Sequence, residues 1–216
     1  SLPSRRRALA CLVRKEFFEL FSSRAFWVML LLTGPLVGVS FISAVTAYGE
    51  LSAAGGSGAG VGEALSPLIG VFGPTFRAYE IVAAFLLPFV AIRMVSADRM
   101  SGAARLEAQQ PLSALARVSI KALVLLAGWM LSALPGVLAL ILWRSYGGSI
   151  HMPEIAAIVL GHLLNAGLTV ALAACAASVA EHPATAAILP LAFTVGTWVL
   201  DFVAAVHGGI WVRLVE

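Results

Sequence analysis

Long apolar runs separated by short polar islands dominate this chain. The runs lie at about 26–47, 79–97, 118–143, 155–179 and 184–206. Each is close to the ~20 residues that a helix needs to cross the bilayer core. They predict an all-α polytopic membrane protein with five visible transmembrane helices, its transmembrane domain covering 26–216. Residues 1–25 follow another period. Leu9, Leu12, Val13, Phe17, Leu20 and Phe21 recur at three- and four-residue steps, while Arg14, Lys15, Glu16 and Glu19 fill other faces. That pattern predicts an N-terminal amphipathic helix lying in the membrane interface. The apolar run after it is too long for a cleavable signal peptide.

Punctuation refines the runs. Gly34 and Gly38 are one helical turn apart, where another backbone can approach closely, and Pro35 predicts a kink between them. Residues 48–78 read as a loop. Its glycine-rich stretch, Gly55 to Gly62, lacks the Gly-Lys-Ser/Thr of a phosphate-binding loop and reads as a flexible linker. Residues 64–78 are apolar but broken by Pro67 and Pro74, which suits an interfacial or re-entrant segment. Pro135-Gly136 predicts a kink in the third run. Glu181-His182-Pro183 predicts a tight turn, with proline at a helix start. The stretch from His207 to Glu216 is too short to cross, and the chain opens on Ser1, so trimming at the N-terminus and a removed sixth span are both expected.

Composition excludes an ordinary soluble domain. The hydrophobic fraction is 60% and the charged fraction 12%, against roughly 45–50% and about 25% in soluble proteins. Mean hydropathy is +0.96 and the pI about 9.2. The basic excess sets orientation rather than marking a nucleic-acid partner. Arg5, Arg6, Arg7, Arg14, Lys15, Arg24, Arg93, Arg99, Arg105, Arg117 and Lys121 fall on one side, leaving Arg77, Arg144 and Arg213 on the other. The first side is therefore cytoplasmic, and the N-terminus lies there. Cys11 and Cys175 are far apart, without metal spacing or a disulfide framework.

The polar island at 96–121 is the most informative stretch. Asp98 is placed to cap a short helix starting near Arg99, and Pro111 to end it. Two roles stay open from the residues alone: a rigid lever between the second and third spans, or a solvated loop that only orients the chain. The segment from Arg14-Lys15-Glu16-Phe17 to Phe26-Trp27, followed by Asp98-Arg99-Met100-Ser101-Gly102-Ala103, Leu106, Gln110-Pro111-Leu112-Ser113 and Lys121, resembles the ABC type 2 exporter permeases. These are membrane subunits of ATP-binding-cassette transporters. Asp98 stands where the family usually has Glu, Ala103 where it has Thr, and five spans are visible where the family has six.

The resemblance implies a permease domain over 26–216 with a cytoplasmic coupling loop at 98–117, behind a cytoplasmic interface helix at 1–25. Lys15, Glu16, Asp98, Arg99, Gly102, Leu106 and Pro111 would couple the chain to a separate ABC ATPase subunit. ATP and Mg would bind that partner; this chain would bind no cofactor and be no enzyme itself. A second permease copy or homologue and membrane lipid complete the implied partners, in the plasma (bacterial inner) membrane.

Few ionisable groups fall inside the runs, and each is a candidate for function because burying it there is costly. His162 and Asn165 share a face of the fourth run, as substrate-path contacts or as interhelical hydrogen-bonding groups. Asp201 lies towards the outer end of the fifth, near His207. Arg93 is close enough to an end to snorkel out. No HExxH, Gly-x-Ser-x-Gly or paired carboxylates occur, so no catalytic or metal residue is predicted. Two rival functions remain: an ATP-independent secondary transporter or channel, and a membrane anchor or scaffold of a larger complex.

Overall fold

Proline sets the joints of this molecule. It lacks an N–H donor, so it is tolerated in the first turn of a helix, where that donor would go unused. A computed structural model of the chain describes residues 5–53, 66–109, 112–180 and 182–215, with the side chains of 5, 104, 201 and 204–215 outside that description. Helices α1 (Arg5–Ser22) and α2 (Arg24–Ala53) are followed by a π-turn at Leu68–Phe72 that leads into α3 (Gly73–Phe85) and α4 (Leu87–Ser101). Then come α5 (Ala103–Ala108), α6 (Ala114–Leu131), α7 (Leu134–Ser145), α8 (Met152–Val179) and α9 (Pro183–Val215). Prolines occupy the first turn of α3, α4, α7 and α8, and α9 begins on one. No strand occurs among the described residues.

Among the described residues, five helical runs are long and apolar enough to cross a membrane: Arg24–Ala53, Leu68–Ser101, Ala114–Ser145, Met152–Val179 and Pro183–Leu200. The second begins earlier than the expected 79–97. Residues 68–78 are not a separate re-entrant piece. The Gly73 N–H donates to the Leu68 carbonyl, a wide turn that seats Pro74 at a helix start and continues straight into α3. This second run is the most buried of the five. Val71, Val82, Leu87, Val90, Ala91 and Ile92 on it form much of the core. It packs against α2 on one side and α8 and α9 on another.

The expected kink at Pro135 is a break between α6 and α7. There the Gly136 N–H donates to Tyr79 Oη at 2.9 Å, so the backbone group freed by the break is satisfied from α3. Pro35 lies inside α2 without ending it. Gly34 and Gly38 meet nothing within 4 Å of an added Cβ, so the close approach expected there is not made among the described residues. One glycine that does permit a close approach is Gly128 of α6, where a Cβ would stand 2.6 Å from Leu20 Cδ2. That contact seats α1 against the bundle.

Helix α1 turns a stripe with four-residue spacing inward: Ala8, Leu12, Glu16 and Leu20. Glu16 was expected on a polar face. It is instead the centre of the buried one, because its partners lie on the helices beneath.

Candidate functional site

Two polar regions stand out, one at each end of the second run. The first is a charged elbow where α1, α4, α5 and α6 meet. Lys15 of α1 donates to Asp98 Oδ1 of α4 at 2.7 Å and to Glu107 Oε1 of α5 at 2.5 Å, and pairs with Glu19 at 3.0 Å. Lys121 of α6 donates to Glu16 and to Asp98 Oδ2, and lies 3.9 Å from Glu107 Oε1. Asp98 thus receives one lysine on each oxygen. Glu16 is 0% exposed and Asp98 4%, so these are desolvated ion pairs. Such pairs hold firmly once assembled and cost several kcal/mol when one partner is lost.

Burial pushes the Glu16 carboxyl up from its ordinary value; the Lys121 hydrogen bond and the Lys121 and Lys15 charges partly restrain it. Burial alone would lower Lys15, but its bonds to Asp98, Glu107 and Glu19 outweigh that and raise it. Four carboxylates face two lysines, and Glu16 Oε2 and Glu19 Oε2 are buried without a hydrogen-bond partner. The raised proton affinity of Glu16 comes first from its burial, with the Asp98 charge adding to it. Glu16, Glu19 and Asp98 offer oxygens within 4.8 Å of one another, but the two lysines already neutralise the pair of buried acids.

Asp98 does not cap a helix at Arg99. It lies within the last turn of α4, and the chain breaks instead at Gly102, whose φ of +77° is the left-handed region that favours glycine. Helix α5 starts after it. Ser113 caps α6, its Oγ accepting from the Ala116 N–H at 3.2 Å. Arg99 donates to the carbonyls of Ala177, Ser178 and Ala180 at 2.6, 3.1 and 3.1 Å. It therefore closes the C-terminus of α8, where unpaired carbonyls attract a cation. Leu106 of α5 is 68% exposed. Pro111 lies outside the described residues.

The elbow therefore brings together Lys15, Glu16, Asp98 and Arg99 with Gly102 at its joint, and leaves Leu106 facing out. Glu16 and Asp98 are buried and fasten α1 to α4 and α6 through the lysines. Glu107, Glu19 and Lys121 belong to the same network. Lys121 was expected only as a basic start to a span. Glu107 went unnoticed, although its place nine residues after Asp98, across a glycine, put it on a helix folding back towards the same lysines.

The second region is a chamber of about 620 Å³ between the α3–α4 run, α8 and α9. Arg77, Glu80, His162, Asn165, Thr194 and Trp198 are among its lining. The His162 ring also packs on Phe76 and Tyr79, with centroids 6.1 and 5.9 Å away. Both His162 and Asn165 line the chamber, and neither hydrogen-bonds another helix among the described residues. The Asp201 side chain lies outside the described residues. Arg77 was missed because its segment read as a re-entrant piece, and Glu80 was missed although it fell at the start of the expected second run. The signal was Phe76-Arg77-x-Tyr79-Glu80, alternating aromatic and charge at helical spacing.

No family model, no curated protein and no solved structure matches the chain.

Proposed function

We propose that this chain is the membrane subunit of an ABC-type exporter, fastened through its charged elbow to a separate cytoplasmic ATPase. The observation that carries the reading is the lysine–carboxylate network. It ties α1, the end of α4, α5 and the start of α6 into one block at the end richest in Lys and Arg. That bias supports a cytoplasmic elbow. A push on the block moves the second and third long runs together, and Arg99 extends the connection to the fourth.

The surface offered to the ATPase is the outward side of α5 around Leu106, with Met100 at 81% exposure just before the joint. Export would proceed through the chamber, between this copy and a second one. His162, Asn165, Arg77 and Glu80 line that path in this reading, and ATP and Mg act on the partner.

A second reading is ATP-independent transport, favoured by the charged Arg77 and Glu80 in the chamber wall. Co-expression with a candidate ABC ATPase separates the two. Under the first, the pair copurifies, permease addition raises vanadate-sensitive ATP turnover, and Leu106→Glu abolishes that rise while the protein still folds. If no ATPase associates and transport proceeds without ATP, the first reading fails.

A further inference from the structure

The chamber holds two opposite charges, and the His162 ring lies within electrostatic reach of one of them, Glu80. Arg77 and Glu80 are three apart on α3, so they share one face. Among the described residues neither makes a hydrogen bond or an ion pair, with each other or with any other group. From Asp98 at the elbow, Arg77 lies 21 residues up a continuous helical run, roughly 31 Å at ~1.5 Å per residue. That matches the ~30 Å thickness of a bilayer core. With the elbow at one interface, Arg77 stands at the other, and Glu80 one turn deeper.

The rest of the chamber grades inward. Beyond Glu80 the lining continues to Ala84, and on the facing helices to Leu168 and Phe193, groups that suit a hydrocarbon body. The His162 ring flanks the charged end, while Trp198 packs edge-on against Phe85 deeper along α3, with ring centroids 5.9 Å apart. The volume falls in the range of small-molecule sites. The same two charges border a second groove on the α2 side, next to Ser40 and Ile69, which gives a lateral way in.

A ligand with one charge engages either Arg77 or Glu80 and leaves the other without a hydrogen-bonded partner in the chamber. A ligand with both charges satisfies both. Guanidinium matches phosphate in a two-pronged bond, while carboxylate and an aromatic face suit an ammonium group. We infer that the chamber binds a zwitterionic amphiphile of the ammonium-phosphate class, its headgroup held by Arg77 and Glu80 at the outer boundary and its chain directed towards Leu168 and Phe193. This rests on the chamber being the transport path and names the class of molecule that occupies it. A bilayer lipid and a lipid-like cargo share this chemistry.

The test uses the full chain purified in a non-ionic maltoside detergent, without ATP or partner. Three brominated probes of equal chain length are titrated: an alkylphosphocholine, an alkyl phosphate and an alkyltrimethylammonium. Quenching of Trp198 is read as the difference between the parent and Trp198→Phe.

The zwitterion is expected to saturate, and to bind about ten- to hundredfold tighter than either singly charged probe, as expected for charge-assisted bonds. Arg77→Gln should weaken the zwitterion and the phosphate but spare the ammonium probe. Glu80→Gln should do the reverse, and Arg77→Lys and Glu80→Asp should keep the preference. Equal binding of all three probes overturns the inference, as does indifference of the zwitterion to both neutral substitutions. If only the lipid-length probes bind, and short-chain phosphocholine does not compete, the occupant is a bilayer lipid; competition by the short form marks a cargo. A negative result here leaves ATPase association intact, and loss of that association leaves this binding measurable, so the two failures are distinct.

Discussion

Lys121→Met gives the sharpest test of the elbow. Lys121 bridges Glu16 and Asp98, whose side chains are 0% and 5% exposed. Removing one member of a buried ion pair typically costs about 3–5 kcal/mol, because the acid left behind stays desolvated. Here Lys15 still reaches Asp98 Oδ1 at 2.7 Å and Glu16 Oε1 at 3.3 Å, so the lower end applies, about 3 kcal/mol. At ~2–4 °C per kcal/mol for a chain of this size, the midpoint should fall by roughly 6–12 °C.

Thermal unfolding in detergent, followed by circular dichroism at one fixed scan rate, measures this. Adding Glu16→Gln to Lys121→Met should return about 1 kcal/mol or more, since the orphaned charge is then gone. The pH dependence has a definite sign. A carboxyl raised in the folded state contributes stability below its unfolded value, and loses it as pH rises through the folded one. Glu16 is such a group, and removing Lys121 raises it further. The gap between parent and variant should therefore narrow on acidification through the carboxylate range. A Lys121→Met midpoint within about 2 °C of the parent, or a double variant worse than the single one, would refute the reasoning.

Gly102→Ala should destabilise by about 1–2 kcal/mol, since a Cβ has open space there and only the φ of +77° opposes it; Gly102→Asn should cost less. Arg99→Gln should cost about 1–2 kcal/mol and speed hydrogen exchange at 176–180 without the same change in α2, because it uncaps α8; equal exchange in both places argues against the cap. Gly128→Ala should cost about 1–3 kcal/mol by pressing on Leu20 and Phe26, with Leu20→Ala added to it restoring part of the loss. If Leu20→Ala makes that variant worse, the close approach is wrongly placed.

Hydropathy made the long helices legible, since period and length are local properties. The second run was cut short because Pro67 and Pro74 look like breaks, and only the π-turn at Leu68–Phe72 reveals how the chain carries on through them. The inner joint was legible as an island, though its glycine mattered more than Asp98 as a cap. What the sequence could not display was partnership. Glu16 is an acid in the middle of an apolar stripe, and its burial depends on a lysine 105 residues away. Likewise Arg77 counted as a loose outer charge until α8 and α9 closed a wall opposite it.

The placement of Glu16 also bears on how the protein is made. Helix α1 is made before most of the groups that close around its buried acid, with Lys15 as the cation supplied by its own segment. Asp98, Glu107 and Lys121 are synthesised only later. Docking of the N-terminal segment must wait for the third crossing, and a chain arrested before that point exposes an unfinished clasp that quality-control proteases can read.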